Sequence, residues 1–315
     1  MSIDRAGLAA LSRYRSPALG IEEAFLHPDL GGASTVAVLS RPLSEPASEI
    51  GWVICHSFGM EQIHLYRMEV RVARALSAAG FVVLRFHSQG YGDSELGASD
   101  ITLASHLASA ADAAALMAGT EGVGRVALLG ARFGGLVAAA TAGRGLADLL
   151  VLIEPVVQGR RFMRDFLWQR VFSEMATEAT VSDEDPAAEL MGQLTTRGWA
   201  DVNGFLLRRD GFEEISKADS AMSLGAFAGP ALVLSVSRTS HPSAASRGLA
   251  ERLMAAAGGC RLGVIADEHA PEFGRSHFRA DEEVLGKADT QLSINRAIAS
   301  RVVAWARAQS AGVEP

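Results

Sequence analysis

The sequence predicts an α/β fold: a mostly parallel sheet flanked by helices, with a long helical segment inserted after the sixth strand. Three observations carry this. Short apolar runs that end abruptly in Gly, His or Pro alternate with longer stretches of helical periodicity, as in a parallel sheet joined by crossover helices. One run, Arg125–Gly135 (RVALLGARFGG), passes from an apolar strand through a glycine-flanked turn directly into a helix. More than seventy residues rich in Phe, Trp, Met and Arg separate the sixth run from the seventh, far beyond an ordinary connection.

The elements follow in order. Eight strands are expected at about 20–27, 33–39, 51–55, 81–86, 124–129, 148–153, 231–236 and 260–265. Helices are expected over Ile63–Ala79, Asp100–Met117, Phe133–Gly143, Ala244–Ala257 and Ile294–Ala308. In the first of these, Leu65, Met68, Val72 and Leu76 recur at helical spacing, and Ala79-Gly80 supplies a C-terminal stop. The core then comprises 1–156 and 227–315, and residues 157–226 form a helical cap.

Bulk properties exclude several function classes. The 315 residues, 49% apolar and 21% charged, are ordinary globular composition. A net charge of −7 offers no electrostatic footprint for nucleic acid or an anionic membrane surface. No apolar run reaches the roughly 18–20 residues that span a bilayer. Asp4, Arg5, Arg13 and Arg15 around the short stretch Ala6–Leu11 do not form a secretory signal, so a cytoplasmic location is expected. Cys55 and Cys260 are too few for a disulfide framework. The eight histidines lack paired ligand spacing, and GYGDSE lacks the lysine of a phosphate loop, so neither metal nor cofactor is expected.

The chemistry concentrates at the glycine-flanked turn. Gly130, Ala131, Arg132, Phe133 and Gly134 fill a Gly-x-Ser-x-Gly frame with arginine where serine would stand. Here the chain resembles the α/β-hydrolase superfamily. GWVICHSFG, with His56, Ser57, Phe58 and Gly59, is similar to the family's oxyanion loop, and LRFHSQGYGDSE (84–95) to its turn after the fourth strand. The resemblance implies the α/β-hydrolase fold, a mostly parallel eight-stranded sheet. The run EPVVQGRRFMRDFLWQR (154–170), taken with the elbow arginine, also resembles hydrolase-like proteins of exosortase systems, a subgroup tied to surface polysaccharide export.

The departures from that pattern define the candidate site. His87 stands where the family commonly has aspartate, and Ser235–Ala250 contains no acid for a catalytic triad. Glu154, at the end of the sixth strand, is the alternative acid. After the eighth strand, His269 and His277 both qualify as the histidine. Arginine stays protonated and offers only donors, so Arg132 cannot be a nucleophile; at a helix N-terminus it suits an anion. Its alternative role is an internal ion pair, most simply with Glu154. His56 and His87 are candidate general bases at the carboxyl end of the sheet. Cys55 and Ser57 are not expected to serve as replacement nucleophiles, because neighbouring residues on a strand face opposite ways and nothing nearby in sequence activates a thiol. Ser57, Phe58, Phe133, Trp168 and His269 are expected to line the substrate pocket. Arg160, Arg161, Arg164 and Arg170 either steer an acidic substrate or form a solvated helix face.

Two readings follow. In one, the protein is a non-standard enzyme that takes a small anionic or acyl substrate, with Arg132 stabilising charge. In the other it is an inactive pseudohydrolase, a binding or scaffolding protein of a biosynthetic or export pathway. An open cavity bearing Arg132 and a histidine favours the first; a filled cleft with a locked Arg132 favours the second.

Overall fold

Apolar runs buried on both faces form the centre of the molecule. In the computed structural model, which describes residues 12–177, 186–270, 273–274 and 284–312, strands β1 (Arg13–Ser16), β2 (Ile21–Leu26), β5 (Ala37–Pro42), β6 (Ile50–Cys55), β7 (Val82–Phe86), β8 (Arg125–Ala131), β9 (Leu149–Ile153), β12 (Ala231–Ser237) and β13 (Cys260–Ala266) make one sheet. Its order is β1-β2-β5-β7-β6-β8-β9-β12-β13. The β1, β2, β5 and β7 pairings are antiparallel and all pairings from β7 onward are parallel. β6, β7 and β9 are buried along their whole length, as expected of strands covered on both sides.

Helices α1 (Met60–Ala78) and α9 (Val284–Ser310) cover one face, where Trp52, Leu65, Met68, Val72, Leu76, Ile298, Val302 and Trp305 pack together. Helices α2 (Leu103–Ala118), α3 (Phe133–Ala142) and α8 (Ala244–Met254) cover the other. Every residue of α3 is buried, and its small side chains let it lie close on the sheet. Between β9 and β12 run α4 (Gly159–Thr177), α5 (Pro186–Arg197), the hairpin β10 (Trp199–Val202) and β11 (Phe205–Arg208), α6 (Arg209–Lys217) and α7 (Ser220–Ser223).

The sheet departs from the eight expected strands in identifiable ways. The extra strand β1 is an exposed edge of sequence RYRS, with no apolar alternation to read. The expected strand 33–39 divides: Ala33–Ser34 (β4) pairs locally with Asp29–Leu30 (β3), and β5 starts at Ala37. The insertion is not wholly helical. Its hairpin turns through Asn203-Gly204, both at positive φ (55° and 80°), the requirement of a two-residue hairpin loop. That dipeptide was a readable turn signal, masked by the helical character of its surroundings.

A buried polar network ties the N-terminal strands to α1. Glu23 accepts hydrogen bonds from Arg74 at 2.6 Å and Ser40 at 3.1 Å, and lies 3.5 Å from Arg85. Glu69 of α1 is buried beside them, and one of its oxygens has no hydrogen-bond partner among the described residues. Burial pushes the Glu69 carboxyl up to about 8, against the opposing pull of Arg85. Between its ordinary value of 4.5 and about 8, the unfolded chain is ionised at this site and the folded chain is protonated. Folding therefore takes up a proton, and this group's contribution to stability falls as pH rises through that window. We expect Glu69→Gln to match the parent below pH 4.5 and to exceed it by at least about 1 kcal/mol above pH 8 in paired urea melts. A difference independent of pH would disprove the assignment.

Candidate functional site

The site lies where β8 turns into α3. Gly130 and Gly134 provide space here and not a special conformation, since both lie outside the left-handed region. A Cβ on Gly130 would run into the carbonyl of Gly134, and one on Gly134 into the carbonyl of Cys55. With helix and strand this close, the residue at the apex absorbs the turn: Arg132 has φ 51°, ψ −121°. A non-glycine residue there carries about 1–3 kcal/mol of strain. The Arg132 amide donates to the Ile153 carbonyl and its carbonyl accepts from Val156, which fixes the apex to the end of β9.

The side chain of Arg132 is held from two directions. Its Nε and Nη2 donate to one oxygen of Glu61, at 3.2 and 3.1 Å. Glu61 sits in the first turn of α1 and is 1% exposed. On the other side Gly274 packs on the arginine stem, so close that a Cβ there would lie 3.1 Å from Arg132 Cγ. The second Glu61 oxygen accepts from Ser57 Oγ at 2.8 Å, and Ser57 Oγ in turn accepts from the Phe133 amide at 3.2 Å. A continuous chain thus runs from guanidinium to carboxylate to hydroxyl to the first amide of α3.

Aromatic rings from α4 and the β10–β11 hairpin pack on Phe58 and Phe133. Phe58 meets Phe133, Phe166 and Phe205 at ring-centroid distances of 5.2, 5.3 and 4.9 Å, and Phe162 stacks on Phe133 at 5.6 Å. Gly59, at φ 59°, admits the Phe166 ring where a Cβ would stand 2.7 Å from it. Its amide donates to Tyr91 Oη at 3.0 Å. His56 accepts from the Ser88 amide at Nε2 (2.9 Å), so its hydrogen sits on Nδ1, which donates to the Ser57 carbonyl at 2.8 Å. Burial, reinforced by His106, brings its pKa down to about 3.

Solved structures share this architecture. The chain superposes on Est1E from Butyrivibrio proteoclasticus with bound ferulic acid (TM-score 0.58, 18% identity, 87% of this chain and 99% of that one). It also matches the Pyrococcus furiosus esterase PF2001 (0.55, 11%, 90% and 93%) and brefeldin A esterase, a bacterial homologue of human hormone sensitive lipase (0.52, 18%, 96% and 83%). The chain has the α/β-hydrolase fold. No family model and no curated protein matches it.

Arg132 stands at the apex of the strand-to-helix turn, and the Phe133 amide is the first of α3. That amide is bonded to Ser57, and the neighbouring loop amide of Gly59 to Tyr91. The expected pairing of Arg132 with Glu154 is corrected: the partner is Glu61. Glu154, at φ 39°, turns its carboxylate to β12 and accepts from Ser235 Oγ and the Val236 amide, both at 2.9 Å. A carboxylate therefore does stand over the end of β12, although the sequence after β12 lacks one.

The remaining candidates divide. Ser57, Phe58, Phe133 and His56 gather around Arg132 and beneath the insertion, but His56 has no free lone pair with which to act as a base. Cys55 is buried, and its thiol is pushed up to about 12 by burial and the charge of Glu69, which removes it as a nucleophile. His87 is half-buried with Nδ1 against Gly92, and burial lowers its pKa. His269 lines a cleft with His64, Leu65, Phe273, Asn295 and the same Gly274 that packs on Arg132. Trp168 is 37% exposed, whereas Phe162 and Phe166 of the same helix are buried. Arg160, Arg161 and Arg164 form an exposed face, two of them paired with Asp165. His277 and the side chain of Arg170 lie outside the described residues. Among the described residues no group of three or more potential metal ligands occurs, and no helix is long and apolar enough to cross a membrane.

Sequence reasoning missed Glu61, Tyr91 and His106. A signal for Glu61 existed: an acid at the helix start, four residues after Ser57, where the helix dipole favours it. Starting the helix at Ile63 hid it.

Two predictions follow from the geometry. Arg132→Ala leaves a buried carboxylate without its cation, so we expect a loss of about 3 kcal/mol in urea melts, mostly recovered when Glu61→Gln is added. An unrecovered loss would show that the pair is not the cause. His56 and His106, whose pKa values burial lowers to about 3 and about 4, stay neutral in the folded protein. Unfolding then takes up protons below pH 6.5, and their contribution to stability is lost as pH falls from there toward 4. Imidazole proton resonances of the folded protein should show no inflection for either residue above pH 5.

Proposed function

We propose that the protein is a pseudohydrolase: an α/β-hydrolase-fold protein that binds and does not cleave. The observation that carries this reading is the chain Arg132–Glu61–Ser57–Phe133, in which groups that acyl transfer would need are bonded to one another. Acyl-enzyme chemistry requires a nucleophile with a general base and two amides free for the oxyanion. Arg132 is not a nucleophile, His56 is a committed acceptor, and the Phe133 and Gly59 amides are already satisfied. The aromatic packing under residues 157–226, read as a cap over the site, supports the same conclusion, because buried Phe58, Phe133, Phe162 and Phe166 pack ring on ring there.

The enzyme reading would require Arg132 to hold a substrate anion. Its engagement with Glu61 weighs against that, because an incoming carboxylate or phosphate would have to displace a buried partner. The likeness of residues 154–170 to exosortase-associated proteins makes components of surface polysaccharide export the first partners to test.

Two measurements test the proposal. A fluorophosphonate probe should not label the protein, and nitrophenyl esters should hydrolyse no faster than with an unrelated control protein. Arg132→Ser should remain at that background, since the Phe133 amide stays occupied by Ser57. Stoichiometric labelling of the parent, or ester turnover above background in either protein, would overturn the reading.

A further inference from the structure

His106, on α2, is fully buried, and its bonding is incomplete. Nδ1 lies 2.8 Å from the Thr102 carbonyl, which can only accept, so the hydrogen is on Nδ1 and Nε2 presents a bare lone pair. Nε2 is buried and has no hydrogen-bond partner among the described residues. Around the ring stand Phe133 at 5.1 Å, Tyr91 at 5.3 Å, His56 at 5.5 Å and Phe58 at 6.0 Å. His56 is saturated and the phenylalanines are apolar, so neither relieves the lone pair.

Tyr91 supplies the complementary lack. Its Oη accepts from the Gly59 amide, and among the described hydrogen bonds its hydroxyl hydrogen has no acceptor. Within one aromatic box there is therefore one acceptor without a donor and one donor without an acceptor. Buried groups in this state call for an explanation. A single hydroxyl answers both, because it donates one hydrogen and keeps lone pairs to accept another.

The walls of the box come from two sources. Phe58, Phe133, Tyr91 and His106 belong to the sheet and its helices. Phe162, Phe166 and Phe205 belong to the insertion. Phe205 is the partly exposed member and sits on the two-stranded hairpin β10–β11, which pairs with no other strand. Of the rings in the box, its ring is therefore the readiest to leave. It lies 4.9 Å from Phe58 and 6.2 Å from Tyr91, one member of the polar pair.

We propose that His106 and Tyr91 are the polar end of a ligand site under the insertion, and that its ligand is a small apolar molecule bearing one hydroxyl. The hydroxyl donates to His106 Nε2 and accepts from Tyr91 Oη, and the apolar body takes the place of the Phe205 ring. This rests on the binding reading above and names the ligand class for it. No bond is made or broken.

The test uses 4-methylphenol and toluene, which differ by the hydroxyl alone, with the full-length protein and its Phe205→Ala variant. Phe205→Ala should bind 4-methylphenol in titration calorimetry at least tenfold more tightly than toluene. Adding His106→Leu should reduce that preference to less than twofold. Should that double variant not fold, the ¹⁵N resonance of His106 Nε2 in Phe205→Ala serves instead, and it should shift on adding 4-methylphenol and not on adding toluene. Equal binding of the two compounds, absence of binding by folded Phe205→Ala, or an unmoved Nε2 resonance overturns this proposal alone. Ester turnover would instead overturn the pseudohydrolase reading.

Discussion

The close approach of α3 to the ends of β6 and β8 is the constraint on which the site depends. Gly130 and Gly134 bring backbone against backbone, and the turn between strand and helix is then forced through one residue at positive φ. Whatever occupies position 132 is lifted out above the sheet at the start of a helix. The fold retains this strained geometry with an arginine in place, and the cation needs an anion within reach. Glu61 meets that need from the first turn of α1, and through Ser57 the carboxylate is coupled to the Phe133 amide. The residue at the apex is thereby connected to three neighbouring groups.

The aromatic filling works together with that pairing. Phe166 reaches its place only because Gly59 has no side chain, and Phe58, turned inward by the same loop, serves as the hub for Phe133, Phe162, Phe166 and Phe205. Apolar burial on this scale stabilises the contact between insertion and sheet at roughly 25 cal/mol per Å². It also surrounds His56 and His106 with a low-dielectric shell, which is why both prefer the neutral form.

The sheet was legible because it is built from uninterrupted apolar runs, and the elbow because its glycines have a steric purpose at fixed spacing. The partner of Arg132 was not. Glu154 is the nearest acid by strand order, and its backbone does lie beside the elbow. Its positive φ, however, swings the carboxylate toward β12, and no pattern in the sequence encodes that swing. Edge strand β1 was hidden because RYRS lacks alternation, and the Asn203-Gly204 hairpin because its strands are four residues each. His106 sits on a helix face where periodicity reads it as one more buried position; its missing bond is a property of the assembled box.

The pairing of Arg132 with Glu61 also bears on how such a site changes over generations. Once a buried acid and a partly buried cation have come to depend on each other, either can be lost only at the expense of the other. A lineage that placed serine at position 132 would first carry an orphaned carboxylate, and one that removed the carboxylate first would carry an orphaned arginine. The route to any other pair of residues here passes through less stable intermediates on either side, so the pairing works as a ratchet.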